Sequence, residues 1–416
     1  MRLRVYHVAI LHLAAVWAGS SPALAQTERT RPLELPAELQ PLDELLRTKM
    51  IVWFEERDKA LEPDGSKRAR WHEANDKFNP LNMHGQRLLD YARQHPGTPA
   101  AFACLSYIID WGEGDPKELH LAAWDELLKH ERDNPALAWL ASRSENPFFI
   151  GVNEQALKKL LATSRNPQVQ AAAAFHLARL YDQAANLRPF VDDNRRIFRD
   201  VGNLSALSLV DNIERRGLET LMAERTKYLD LVRTKYADQT PWEAKRTFGR
   251  LDYEFQDVSA APTYGQQVAQ LEYELEWLRI GCIAPVFRGT TVERVEFDLE
   301  KQRGKPVLLM FSFKGCGPCE AFYPTLRELQ QKFAGDGLQV IGIMTDEKVE
   351  AVHEAIAAGD ITWPCIWDGD DGPITTKFQV EGFPTIVLLD AKGRIVSRAT
   401  DKVMLERALD AMKREP

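Results

Sequence analysis

The sequence predicts two domains of different class, an all-α region followed by an α/β domain, and three observations carry that reading. The chain has 416 residues, more than one core usually organises, so domains of about 100–200 residues are the default. From about residue 43 to 279 helix signals recur with almost no strand signal. From about 280 onward, apolar runs of strand length alternate with stretches of helical spacing, the order of a mixed sheet with helices on both faces. An apolar content of 44% and a charged content of 27% are ordinary for globular chains. A net charge of −8 provides no basic footprint for nucleic acid.

Residues 1–25 read as an export signal rather than as part of either domain. Arg2 and Arg4 form a short basic region, Val8–Trp17 is an apolar stretch broken by His12, and Ala23-Leu24-Ala25 fits the small-x-small cleavage rule, with Gln26 as the new N-terminus. The apolar stretch is short for a bilayer span, and no cysteine follows the cleavage site to carry a lipid. The alternative is an uncleaved anchor. No other segment reads as transmembrane. The expected location is the periplasm or cell surface of a bacterium.

Residues 26–42, with Pro32, Pro36 and Pro41, predict an extended lead-in. The region 43–279 repeats one device, a capping side chain followed by proline at the first helical position: Thr98-Pro99, Asp115-Pro116, Asn134-Pro135 and Asn166-Pro167. Thr240-Pro241, with Glu243 following, predicts a capping box. The spacing suits helices of about 12–15 residues joined by short turns into antiparallel pairs. Val169–Tyr181 resembles the small-residue helix of a tetratricopeptide-type repeat, its alanines admitting a close neighbour. The wider consensus is unmet, so the expectation is an irregular helical-hairpin array. Such an array is either a protein-binding groove or a packed domain without a ligand. Tryptophans 53, 71, 111, 124, 139, 242 and 277 are expected in the core. His72, His84, His95, His120, His130 and His176 show no HxxH or HExxH spacing, so no metal site is assigned. Tyr264–Arg279 reads as a charged helix closing the region.

The second domain, 280–416, contains the most informative residues of the chain. Pro306–Phe313 reads as a buried strand, Cys316-Gly317-Pro318-Cys319 follows, and Glu320–Phe333 has helical spacing. That order puts Cys316 at a helix N-terminus, where free backbone N–H groups and the helix dipole favour an anion. A thiolate is such an anion and is the attacking species in disulfide exchange. Cys319 lies one turn on, in reach to resolve a mixed disulfide. A zinc site would need about four ligands, and no second CxxC accompanies this pair. A strand at Leu338–Met344 completes a βαβ unit. Then come a helix at Glu347–Ala358, a strand at Ile361–Trp367, a helical turn at Ile374–Phe378, strands at Thr385–Leu389 and Arg394–Arg398 around the turn Asp390–Gly393, and a helix at Leu405–Met412. Of five cysteines, Cys104, Cys282 and Cys365 remain outside the pair, so at most one further internal disulfide is available and the chain is no disulfide-stapled scaffold.

These residues, in order, resemble the TlpA/ResA-like branch of the thioredoxin superfamily, exported thiol–disulfide oxidoreductases within the redoxin group. Ile280-Gly281-x-x-Ala284-Pro285-x-Phe287 is similar to that family's opening sequence, and Gly304-Lys305-Pro306-Val307-Leu308-Leu309 to the strand before its active site. Cys316–Cys319, the helix carrying Pro324 and Gly382-Phe383-Pro384-Thr385 follow. The resemblance covers about a third of the chain. It implies a thioredoxin-like fold, a catalytic pair Cys316 and Cys319, and a cis-proline loop in which Pro384 and the backbone of Phe383 position an extended substrate chain. It also implies no cofactor beyond the redox-active disulfide, protein thiols and disulfides as partners, and a membrane or periplasmic electron donor whose identity is open. The junction of a helical region to such a domain resembles exported redoxin-domain proteins.

Three departures qualify the resemblance. Gly315 stands before Cys316 where the family usually has tryptophan, which removes apolar cover beside the pair. Lys314 becomes a candidate modulator of the Cys316 pKa, or else a solvated side chain. Met310 occupies the strand position where thioredoxins place a buried acid, leaving Glu320 as the nearest candidate for proton transfer to Cys319. Cys365, in Thr362-Trp363-Pro364-Cys365, is read as a small buried hydrophobe in preference to a third redox thiol. The predicted function is exchange of disulfides with protein substrates, in the reducing direction. One alternative is a peroxiredoxin-type thiol peroxidase, but counting back from Cys316 puts Phe313 and Leu309 where that family has Ser/Thr and Pro. The other is a helical binding scaffold with a decayed redox domain.

Overall fold

The computed structural model describes residues 35–60, 78–112, 116–188, 191, 195, 204–258, 260–398 and 402–413. They divide into two compact units, one ending at Ala269 and the other beginning at Gln270. The candidate export signal lies outside the described residues.

The first unit is helical. Its elements are α1 (Gln40–Ala60), α2 (Pro80–Gln94), α3 (Pro99–Gly112), α4 (Lys117–His130), α5 (Leu137–Ser142), α6 (Ile150–Thr163), α7 (Pro167–Leu187), α8 (Leu204–Arg216) and α9 (Leu218–Leu231), and α10 (Tyr264–Tyr273) runs across its end. The capping device acts where its side chain finds backbone donors. Thr98 Oγ1 accepts from the Ala101 N–H at 3.2 Å, and Asn166 Oδ1 accepts from the Gln168 N–H at 2.9 Å. Asn134 Oδ1 accepts from the Ala136 N–H, but a turn intervenes before α5. Asp115 lies outside the described residues, and Pro116 takes the capping position of α4. The alanines of α7 are buried and allow α6 and α9 to pack close.

Several expectations are corrected. Pro41 lies in the first turn of α1, not in an extended lead-in, because the N-terminal turn leaves backbone N–H groups unpaired and so tolerates the missing one. Thr240-Pro241 starts no helix: β1 (Trp242–Lys245) pairs antiparallel with β2 (Glu254–Asp257). Thr240 Oγ1 donates to Asp257 across the hairpin instead of capping, and the rings of Tyr253 and Phe255 on the returning side pack on Trp139. Trp53, Trp124 and Trp139 are core residues, Trp111 and Trp242 are half-buried, and Trp277 is 39% exposed on the π-helical turn after α10. Trp71 lies outside the described residues.

The second unit is built on a five-stranded sheet. A short hairpin, β3 (Arg288–Thr290) with β4 (Glu296–Asp298), precedes it and had no sequence signal. Then follow β5 (Val307–Ser312), α11 (Gly317–Lys332), β6 (Gln339–Met344), α12 (Val349–Ala357), β7 (Cys365–Trp367), α13 (Pro373–Lys377), β8 (Thr385–Leu389), β9 (Ile395–Ser397) and α14 (Lys402–Met412). The order across the sheet is β7-β6-β5-β8-β9, with β5, β6 and β7 parallel and β8 and β9 antiparallel to their neighbours. β5 is central and every residue of it is buried, which is why it reads as a continuous apolar run. The pleat sorts its side chains: Leu308 and Met310 join the core under α11, α12 and α14, whereas Val307, Leu309 and Phe311 join the core on the opposite face with Phe287, Phe297 and Phe378. The whole is a helical region followed by a thioredoxin-like sheet domain.

Candidate active site

The C-terminal ends of β5, β6 and β7 and the N-terminal end of β8 meet at one edge of the sheet, the edge where sites gather in parallel α/β layers. Phe311 of β5 is paired with Thr385 of β8, so the Phe383–Pro384 loop arrives beside the segment that leads to Cys316. The Phe383–Pro384 peptide is cis. The rings of Phe313 and Phe383 meet edge to face with centroids 5.3 Å apart, joining the two loops.

Cys316 and Cys319 are disulfide-bonded, with Cα atoms 5.2 Å apart. Cys316 caps α11: its Sγ accepts from the Cys319 N–H at 3.3 Å, and Pro318 occupies the first turn, where no backbone donor is lost. Cys316 is 6% exposed and Cys319 is 0% exposed. Cys316 is thus the less buried of the two and sits at the helix terminus, and both belong to the core under α11 with Met310 and Tyr323. Pro324 lies inside that helix.

The loop before the pair is fixed from two sides. Gly315 has φ +85°, the left-handed region open to glycine, and its N–H donates to Glu320 Oε1 at 2.8 Å. The Lys314 N–H donates to Asp346 Oδ1 at 2.9 Å, and its ammonium is ion-paired with Glu354, which raises the lysine pKa. Of the candidate modulators, Lys314 is thus occupied by a carboxylate and Glu320 by the backbone of the active-site loop. Met310 is fully buried and apolar. Next to it Ser312 Oγ and Tyr323 Oη lie 3.3 Å apart, and the Tyr323 ring meets Trp363 edge to face.

Asp346, just past β6, is the site residue that sequence reasoning missed. It is 8% exposed, and its main-chain oxygen accepts from the Trp367 indole N–H at 2.7 Å. Nothing in Thr345-Asp346-Glu347 separates it from an ordinary acidic turn. Cys365 is fully buried, burial pushes its thiol up to about 12, and an added Cβ at Gly342 would lie 2.6 Å from its Sγ. That close fit is what the reading as a small core residue expects. Cys104, Cys282 and Cys365 are all free thiols. Among the described residues no group of three or more His, Cys, Asp and Glu is placed to hold a metal ion, and no helix is long and apolar enough to cross a membrane.

Comparison with known proteins converges on the same segment. Residues 280–398 match the AhpC/TSA family. The thiol-disulfide oxidoreductase ResA of Bacillus thuringiensis subsp. konkukian is 30% identical over 139 residues, spanning 33% of this chain and 80% of that protein. The thioredoxin-like protein YneN of Bacillus subtilis is 34% identical over 137 residues, 31% of this chain and 78% of its own. Among solved structures, a putative thiol:disulfide interchange protein DsbE from Chlorobium tepidum is 26% identical, covers 32% of this chain and 97% of its own, and has a TM-score of 0.30. With a CGPC pair at the head of a helix and this identity to ResA over four fifths of its length, the chain belongs to the ResA-like thiol–disulfide oxidoreductases of the AhpC/TSA family.

Proposed function

We propose that the protein is an exported thiol–disulfide reductase acting on protein disulfides, with Cys316 as nucleophile and Cys319 as resolving thiol. The observation that carries this reading is the asymmetry of the pair. Cys316 is the less buried of the two and holds the helix N-terminus, which lowers a thiol pKa, and Cys319 is fully buried one turn on. In the reduced enzyme the Cys316 thiolate attacks one sulfur of a substrate disulfide, forming a mixed disulfide and releasing the other sulfur as a thiolate. Cys319 then loses its proton and attacks Cys316 Sγ, closing the 316–319 disulfide and releasing the second substrate thiolate, which takes up a proton. Phe383 and Pro384 position the substrate chain at the sheet edge, with the Phe313–Phe383 ring pair as an apolar floor. An electron donor at the membrane or in the periplasm returns the pair to the dithiol, and no cofactor beyond the pair takes part.

The helical unit serves in this scheme as an irregular hairpin array that recruits the partner. The basic and apolar N-terminus with its Ala23-Leu24-Ala25 site supports export, which predicts a mature chain beginning at Gln26.

The deciding experiment is the reduction potential of the pair in the mature protein against dithiothreitol or glutathione buffers. A value of about −250 mV or lower supports a reductase, and one near about −120 mV makes the protein an oxidant. Cys316→Ser should abolish exchange, and Cys319→Ser should trap mixed disulfides with substrate. Retained function in Cys316→Ser would leave only the scaffold role.

A further inference from the structure

Asp346 is a buried carboxylate beside the active-site loop, and one of its oxygens has no partner. Oδ1 accepts the Lys314 N–H, two residues before the nucleophile, while Oδ2 is buried without a hydrogen bond. Burying a bare carboxylate oxygen opposes folding, and such groups in native proteins call for a reason. Its charge is only partly balanced: on the loop, the Lys314 ammonium feels it but is ion-paired with Glu354 of α12. On α11, Glu320 accepts the Gly315 N–H and adds negative charge, and Tyr323 is neutral. On β7, Cys365 is a thiol, and Trp367 contributes only its indole N–H, which goes to the Asp346 main chain. Burial first, and more weakly the Asp346 carboxylate, raise the pKa of both Tyr323 and Cys365, and these two side chains belong to the core cluster that holds Cys316 and Cys319.

We propose that Asp346 is a positioning residue for the nucleophile: its Oδ1 pins the loop that presents Cys316, and its charge opposes the thiolate, biasing the pair toward the disulfide and hence toward reducing its partners. The logic is that of linkage. A helix N-terminus stabilises the thiolate and with it the dithiol state, which makes a pair oxidising. A buried negative charge near the loop acts against that stabilisation and restores reducing power. The inference rests on Cys316 being the attacking thiol.

Asp346→Asn is the informative variant, because the amide oxygen keeps an acceptor for the Lys314 N–H while the charge is removed. The pH dependence of Cys316 alkylation by iodoacetamide, followed by peptide mapping, should shift its half-point down by about one unit, a roughly tenfold gain in thiolate at pH values below it. The ratio of dithiol to disulfide in a fixed dithiothreitol buffer should rise, by up to about tenfold. Asp346→Ala, which also removes the acceptor, should additionally speed hydrogen exchange at the Lys314 amide. An Asp346→Asn protein with the parent's half-point and dithiol ratio would overturn the proposal. If the variant does not fold, the unaltered protein still decides. The Asp346 side-chain carboxyl carbon resonance should show an inflexion at the Cys316 pKa in the reduced protein and none in the oxidised one, and its absence in the reduced protein would refute the coupling. A parent protein in which Cys316 is not the alkylated thiol would defeat the functional reading itself, whereas normal Cys316 reactivity with an unaffected Asp346→Asn defeats only the role of Asp346.

Discussion

Replacing Gly315 tests whether the missing tryptophan is a matter of backbone geometry. The residue sits at φ +85°, and an added Cβ would meet no heavy atom within 4 Å. The cost of an alanine here is therefore conformational and not a clash. Holding an L-residue in the left-handed region costs about 1–2 kcal/mol. Removing glycine from the unfolded chain returns about 0.4–1 kcal/mol. Gly315→Ala should thus destabilise the redox domain by about 1 kcal/mol, the difference of these two terms. Gly315→Asn should cost less, because asparagine visits this region more readily. Gly315→Trp carries the same backbone cost as alanine. A chain of two units need not unfold in one step, so stability is best read from the opening free energies of the β5 amides, Val307–Ser312, by native-state hydrogen exchange. Alanine and tryptophan variants as stable as the parent would refute the argument and return the tryptophan question to substrate contacts.

Three further outcomes are expected. Trp124 Nε1 donates to His120 Nε2 at 3.2 Å, and burial lowers the His120 pKa to about 3, so the ring is held neutral in the fold. The unfolded chain binds the proton more tightly, so this contribution is complete above pH of about 6.5 and is lost as pH falls toward 3, with an upper bound of several kcal/mol. His120→Gln should flatten the acid side of the stability curve of the helical unit, and an unchanged slope would argue against a neutral buried ring. Asp110, 1% exposed, is held by Arg143 at 2.7 Å, Arg246 at 2.5 Å and the Tyr253 hydroxyl at 3.1 Å. Asp110→Ala removes the buried carboxylate that Arg143, Arg246 and Tyr253 share and should cost about 3–5 kcal/mol in urea denaturation; a loss below about 1 kcal/mol would mean that solvent replaces the carboxylate. Burial pushes the thiols of Cys104 and Cys365 up to about 12, so both should resist iodoacetamide at pH 8 in the folded protein and react only after unfolding, as mass mapping would show.

The features legible in the sequence were those whose cause is local. The buried run of β5, the CGPC head of α11, the proline loop before β8 and the caps at Thr98 and Asn166 each depend on neighbours a few residues away. The errors share the opposite property. Thr240-Pro241-x-Glu243 has every local mark of a helix start, yet the segment pairs with Glu254–Asp257 and is a strand. β3 and β4 are three residues each, too short for an alternation pattern to register. Trp277 was expected in the core on hydrophobicity alone, and only the packing of the π-helical turn leaves it exposed.

The sequence by itself determined the chemistry: a dithiol at the start of a helix, behind a strand buried on both faces, with a proline loop to match. It did so because the period of a strand, the spacing of CxxC and the position of a first-turn proline are written in consecutive residues. Only the tertiary structure decided which groups surround that chemistry. The Lys314 amide meets Asp346, the Lys314 ammonium meets Glu354, and Phe313 meets Phe383, partners that lie 32, 40 and 70 positions apart along the chain. Contacts across such separations follow from the order and register of strands in the sheet, and no local pattern encodes them.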